Sequence, residues 1–268
     1  MRSSEFDAEL LSARLDDLFE KAERYCVAAS RFLTPREQIF AEKYVASRRG
    51  VNDSFFFGGY DGSERNKLFL LPDYLSGGEA EYDAEYIRAN IPDACEQVGA
   101  VRISGSGYRV LSHRDYMGSL LGLGIERDSI GDIVTDGDFG AYVFCEPRIA
   151  EFICGELKKV ASDTVKAETF TPSADFKSHR EFALISDTVA SARLDCVVAA
   201  LANLPREKAQ SVIAACLVEV NYETVKKNDL VVSEGCVISI RGHGKFIVKS
   251  LNDKTKKGRY RILADKYI

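Results

Sequence analysis

Residues 192–222 read A-R-L-D-C-V-V-A-A-L-A-N-L-P-R-E-K-A-Q-S-V-I-A-A-C-L-V-E-V-N-Y, two short helical patterns and then a strand. Leu194, Val197, Val198 and Leu201 recur at steps of three and four, which gives the first helix one apolar face. Asn203, Leu204 and Pro205 break it, and a proline opening the next helix loses no intrahelical donor. The second helix turns Ala209, Val212 and Ile213 inward and carries Arg206 and Lys208 near its start, after which residues 217–221 alternate as a strand. Helices this short bury a core only with strands against them. Cations at a helix start oppose its dipole by roughly a few tenths of a kcal/mol unless an anion is near. Helix-start amides with Arg and Lys make a phosphate site. Two solvated surface cations are the equal alternative.

The order R-L-D, P-R-E-K-A, V-E-V-N and V-V-S-E-G-C-V-I-S-I resembles the S4 RNA-binding domain. The pattern is matched at Arg193, Leu194, Asp195, Arg206, Ala209, Val218, Val220, Asn221 and Gly235. It is departed from at Pro205 (for Ser), Cys216 and Tyr222 (each for Gly) and Cys236 (for Asp). A left-handed conformation costs a residue with a β-carbon about 1–2 kcal/mol. The turn between helix and strand is therefore expected to differ from that of the family. The resemblance implies binding of structured RNA.

The 268 residues suggest two or three domains, and 46% apolar content supplies ample core. No apolar run approaches a bilayer span, so no membrane partner is expected. Glu5, Asp7 and Glu9 argue against a signal peptide. Seven scattered cysteines without a C-x-x-C, and three isolated histidines, point to reduced thiols, a cytoplasmic setting and no metal or cofactor. The net charge of −5 is unevenly spread. From Arg180 onward 15 basic residues face 10 acidic ones (+5), while the remainder holds 21 against 31 (−10). A basic module on an acidic body suits docking one face on RNA.

In chain order, residues 1–30 read as one amphipathic helix, and Thr34-Pro35-Arg36-Glu37 opens a second through a capping box. The S-A-R-L-D of residues 12–16 recurs at 191–195, but the spacing to the following P-R-E differs, so no repeat is inferred. Residues 52–72 predict a hairpin. Phe55–Phe57 with Tyr60, Arg65 and Lys67 reads more readily as a buried strand pair than as a base-stacking surface. A helix over 82–90 ends at Ile91-Pro92. Residues 100–170 give β-α-β-β-α-β, the ferredoxin-like order shared with RRM domains, with an extra extended piece at 109–111. Tyr142 and Phe144 share a face of its third strand; facing the helices they would be core, and otherwise an RNA platform. A polar linker is read at 171–182, then strands at 230–232, 237–241, 245–251 and 260–263, with a basic tail of Lys254, Lys256, Lys257, Arg259 and Arg261.

The fold class is thus α+β. N-terminal helices plus a β-hairpin (1–95) precede an RRM-like domain (96–172) and a C-terminal S4 (αL-type) domain with a small antiparallel sheet (183–268). The resemblance extends further. R-F-L-T-P-R-E from Arg31, F-F-G-G-Y, R-N-K-L-F-L-L-P-D-Y-L, L-S-H-R-D-Y-M-G-S-L-L-G-L-G-I-E-R and I-G-D-I-V together resemble the bacterial YlmH family. That resemblance implies an RNA-binding protein acting on the ribosome, on its large subunit, in clearing stalled translation. It implies rRNA as partner, tRNA as a second candidate, and division proteins for some members.

His113-Arg114-Asp115 lacks the Asn of a kinase loop, since Leu120 stands five residues on, and the glycine pairs lack the third Gly of a dinucleotide loop. No catalytic residue is assigned and the chain is expected not to be an enzyme. An S4-containing RNA-modifying enzyme and an acidic protein-interaction scaffold are the alternatives. The candidate RNA-binding residues are Arg193, Asp195 (orienting Arg193), Arg206, Lys208, Asn221, Lys226, Arg241, Lys245, Lys256, Lys257 and Arg259. This requires Arg193, Arg206 and Lys208 to share a side and to escape neutralisation by internal carboxylates.

Overall fold

The first helix begins where a side chain can cap it. In the computed structural model the Asp7 carboxylate accepts the Leu10 amide at 3.0 Å, and α1 runs Ala8–Ala22 with Leu11, Leu15 and Leu18 buried. The structure describes residues 7–23, 26–48, 54–75, 82–137, 139–173, 175–178, 182–251, 255 and 258–267. Two compact units emerge, Met1–His179 and Arg180–Ile268, and the expected boundary at 95/96 falls inside the first.

In the first unit the expected helix over 1–30 is shorter. Residues 1–6 lie outside the described residues, and Ala28–Ala29 form β1, pairing antiparallel with Leu70 and Phe69. An available sheet edge overrides helical periodicity there. The capping box holds: Thr34 Oγ1 accepts the Glu37 amide, Glu37 accepts the Thr34 amide at 2.7 Å, and α2 spans Pro35–Ser47. The hairpin is β2 (Ser54–Phe57) on β3 (Lys67–Leu70), with Phe55, Phe57, Tyr60 and Lys67 buried as a strand pair requires. Helix α3 (Ala84–Asn90) ends at Ile91 as expected, but Pro92 does not close the helical stretch: it opens a short α4 (Pro92–Glu96).

The ferredoxin-like order is realised by β4 (Gly99–Ser104), α5 (His113–Gly122), β5 (Ile130–Thr135), β6 (Gly140–Cys145), α6 (Pro147–Glu156) and, after a small β7/β8 hairpin (Lys159–Val160, Asp163–Thr164), β9 (Lys166–Thr169). The sheet runs β5-β6-β4-β9, all antiparallel. The piece expected at 109–111 is loop. Helices α5 and α6 pack on the face carrying Val101, Ile103, Ala141 and Val143.

The second unit is a six-stranded antiparallel sheet, β10-β15-β14-β13-β11-β12, with two helices. Its elements are β10 (Phe182–Val189), α7 (Leu194–Leu201), α8 (Arg206–Ala214), β11 (Val218–Val220), β12 (Glu223–Thr224), β13 (Val237–Ile240), β14 (Gly244–Ser250) and β15 (Tyr260–Tyr267). Leu194, Val197, Leu201, Ala209 and Ile213 from the helices bury against Ile238, Ile240, Phe246, Val248 and Ile262. This is the apolar stripe read from residues 194–213, now given its sheet. Strand β10 was not foreseen; it pairs residue for residue with β15, which extends to Tyr267. The strand expected at 230–232 is a single bridge, Arg193 to Val231, because Leu230 and Val232 bond the chain just before and at the start of α7. The fold is mixed α+β, as expected.

Candidate nucleic-acid interface

The four-stranded sheet of the first unit is the first candidate surface. Strand alternation puts Tyr142 and Phe144 on the face away from α5 and α6. That face is nevertheless covered. The Tyr60 ring lies 4.7 Å from Phe144, Phe170 lies 4.7 Å from Tyr142, and Phe176 packs 5.6 Å from Phe144 and 5.3 Å from Tyr60. Phe144 is fully buried. The Tyr60 hydroxyl donates to the buried Asp132 carboxylate at 2.6 Å, which also accepts the Glu64 and Arg65 amides. Gly59 makes the cover fit: its φ is +103°, and an added β-carbon would sit 2.5 Å from the Phe144 ring. At the margin a cleft of about 400 Å³ opens between Phe57, Arg88, Phe144 and Phe170. His113-Arg114-Asp115 serves the start of α5: Ser112 and Asp115 form a reciprocal cap, which holds the Asp115 carboxyl below its usual range. Among the described residues no His/Cys/Asp/Glu group could hold a metal.

The second unit builds a different object at the start of α7. The Asp195 side chain is completely buried and accepts from three side chains. Arg193 donates from Nε to Oδ1 at 3.2 Å and from Nη2 to Oδ2 at 3.3 Å. Arg206 donates from Nε and Nη2 to Oδ2 at 3.0 and 2.7 Å, and Gln210 adds Nε2 at 3.0 Å. The Cys196 amide closes the set on Oδ1 at 3.0 Å. Burial pushes the Asp195 carboxyl up, but the bonds from Arg193, Gln210 and Arg206 outweigh it and hold it well below the usual carboxylate range. The same bonds raise both guanidiniums. The α7–α8 packing makes this convergence: Arg193 sits at the residue before α7, Arg206 begins α8, and Gln210 lies one turn on.

Neither condition set by the sequence reading is met in full. Lys208 sits two residues, about 200°, round α8 from Arg206, on the side away from Asp195, because a helix advances about 100° per residue. Asp195 neutralises part of the arginine charge. One carboxylate between two guanidiniums still leaves one net positive charge. Each guanidinium commits only Nε and Nη2, so further N–H donors face outward from side chains 42% and 53% exposed. The expected three-cation cluster is a two-arginine clamp.

The remaining candidates scatter. Lys226 is exposed on the segment whose Asn228 carbonyl accepts the Asp195 amide, so it belongs to the clamp's side of the unit. Asn221 and Tyr222 form the two-residue turn between β11 and β12 with φ of 48° and 64°, and Asn221 Oδ1 accepts the Val237 amide at 2.9 Å, a structural pin. Arg241 is exposed beyond β13. Lys245 lies on the sheet face away from the helices, its Nζ 5.1 Å from the Tyr222 ring and 4.6 Å from the Tyr267 ring. Arg259 is held by Thr188 through Nη2 to the carbonyl at 2.6 Å. Lys256 and Lys257 lie outside the described residues. Gln210 was missed, although its four-residue step from Arg206 was a signal. Cys216 keeps the left-handed turn (φ 59°) despite its β-carbon, contrary to expectation.

Residues 100–173 match a family model described as "Putative RNA-binding domain in YlmH". The chain is 29% identical over 240 residues to "Ribosome-associated protein quality control protein P2" of Bacillus subtilis (strain 168), covering 90% of this chain and 87% of that protein. A solved structure, "Cell division protein ylmH from Streptococcus pneumoniae", aligns with TM-score 0.48 at 19% identity over 63% of this chain and 94% of that one. Fold and family match together define an α+β protein with a putative RNA-binding domain. Through residues 100–173 the chain is similar to the YlmH family.

Proposed function

We propose that this chain is a non-catalytic, cytoplasmic RNA-binding protein that works on the ribosome, with its second unit as an S4-type module docking on structured rRNA or tRNA of the large subunit. The carrying observation is the Asp195 clamp: two arginine forks held rigid by one buried carboxylate, with outward donors suited to phosphate oxygens. The similarity to a ribosome-associated quality-control protein supports the ribosomal role, and the match of residues 100–173, in the first unit, to a putative RNA-binding domain supports RNA binding by the chain as a whole. So does the +5 balance of residues from Arg180 onward. Lys226 and Arg241 are supporting contacts.

The test is co-sedimentation of the full chain with ribosomal particles over a salt series. Arg206→Gln keeps a donor for Asp195 and removes one charge. It should weaken association and lower the salt slope by about one. Association independent of salt, or unchanged in Arg206→Gln and Arg193→Gln, contradicts the proposal.

A further inference from the structure

We infer that the sheet face of the second unit turned away from its helices is a separate platform for unpaired bases of single-stranded RNA. This rests on the RNA-binding reading above but places a second contact on the opposite side of the unit from the clamp. Alternation on β10, β15 and β14 puts Ile185, Ala264, Phe246 and Val248 against the helices, so Phe182, Leu184, Tyr267, Lys245 and Ile247 point the other way. Phe182 and Leu184 are 41% and 68% exposed.

Phe182 is the register partner of Tyr267, their rings meeting edge to face at 5.0 Å. Lys245 lies across the next strand, its ammonium flanked by Tyr267 and Tyr222. The result is an aromatic row over several strands with a cation inside it, the combination that stacks successive bases while holding the backbone.

Tyr222 adds an independent sign. It occupies a left-handed position in a two-residue turn where glycine fits without cost, so the ring is kept against the backbone preference. Among the described residues, the acids on this face do not oppose an RNA strand strongly: Asp265 is paired with Lys249 at 3.1 Å, which leaves Glu219 on the far strand β11.

The experiment uses the full chain and two labelled probes, an oligouridylate of about 10 nucleotides and an RNA hairpin without single-stranded tails. Tyr267→Leu keeps apolar bulk and removes the ring; Phe182→Ser changes a more exposed site, which carries the test should Tyr267→Leu lower the melting temperature. We expect either to weaken oligouridylate binding about 5-fold or more and to leave hairpin binding within about twofold. Arg206→Gln should do the reverse. Failure of the wild-type chain to bind oligouridylate, or binding unmoved by both ring variants while the hairpin still binds, overturns the platform alone. Loss of hairpin binding in the wild-type chain overturns the RNA reading itself. Self-association in sedimentation that disappears in both ring variants assigns the face to a protein contact and also overturns the platform.

Discussion

The four-stranded sheet of the first unit and the six-stranded sheet of the second each have helices on one side and aromatic residues on the other, and they treat the aromatic side differently. In the first unit Tyr142 and Phe144 are roofed by Tyr60, Phe170 and Phe176, with Asp132 fixing the Tyr60 hydroxyl. In the second, Phe182 stands exposed and the Tyr267 ring carries a lysine. A β-α-β-β-α-β order of elements is therefore no sign that the sheet face away from the helices is available. The face is decided by a loop and a tail that the order does not contain.

The largest effect should come from Gly59→Val. Its side chain would enter the Phe144 ring from a backbone angle that β-branched residues avoid, at a cost of about 3 kcal/mol or more. Urea unfolding measures this, and a loss below about 1 kcal/mol would mean the roof is not tightly seated. Asp195→Ala follows, at about 2–3 kcal/mol. It removes charge-assisted bonds from Arg193, Arg206 and Gln210, yet the stranded guanidiniums are half exposed and can rehydrate.

Phe176→Ala should cost about 2 kcal/mol, because the ring is only partly buried. It sharpens the comparison more than its size suggests. If the first sheet were a latent RNA face, removing part of its cover would raise RNA affinity; we expect no gain in oligouridylate binding.

The pH dependence tests the clamp. The Asp195 carboxyl is depressed in the folded state, so its contribution is complete above the unfolded value of about 4 and is lost as pH falls toward the folded one. Acid titration of stability should therefore steepen below about pH 4 in the wild-type chain and flatten in Asp195→Asn. Equal slopes would remove the clamp's electrostatic role. The smallest effect belongs to Tyr222→Gly, which relieves a left-handed β-carbon and loses a cation–π contact, so stability should move by less than about 1 kcal/mol.

Much of this was legible locally. The caps at Thr34 and Ser112, the apolar stripes of α7 and α8, and the shared face of Tyr142 and Phe144 follow from spacing within a few residues. What was hidden depends on distant partners. β10 carries Ser186, Asp187 and Thr188, which blur its alternation, and its pairing strand lies at the far end of the unit. Asp195 could be matched to Arg193 from their two-residue step, but only the packing of α8 brings in Arg206 and Gln210 and turns Lys208 away. The roof over Phe144 joins residues 60, 170 and 176, a relation no local period encodes.

Photo-crosslinking of the full chain to bound ribosomal RNA, with the adducted peptides sequenced, decides most directly which unit meets the nucleic acid. We expect adducts in the second unit, around Arg193–Arg206 and at Tyr222 or Tyr267. Adducts concentrated at Tyr142 and Phe144, with none in the second unit, would contradict it.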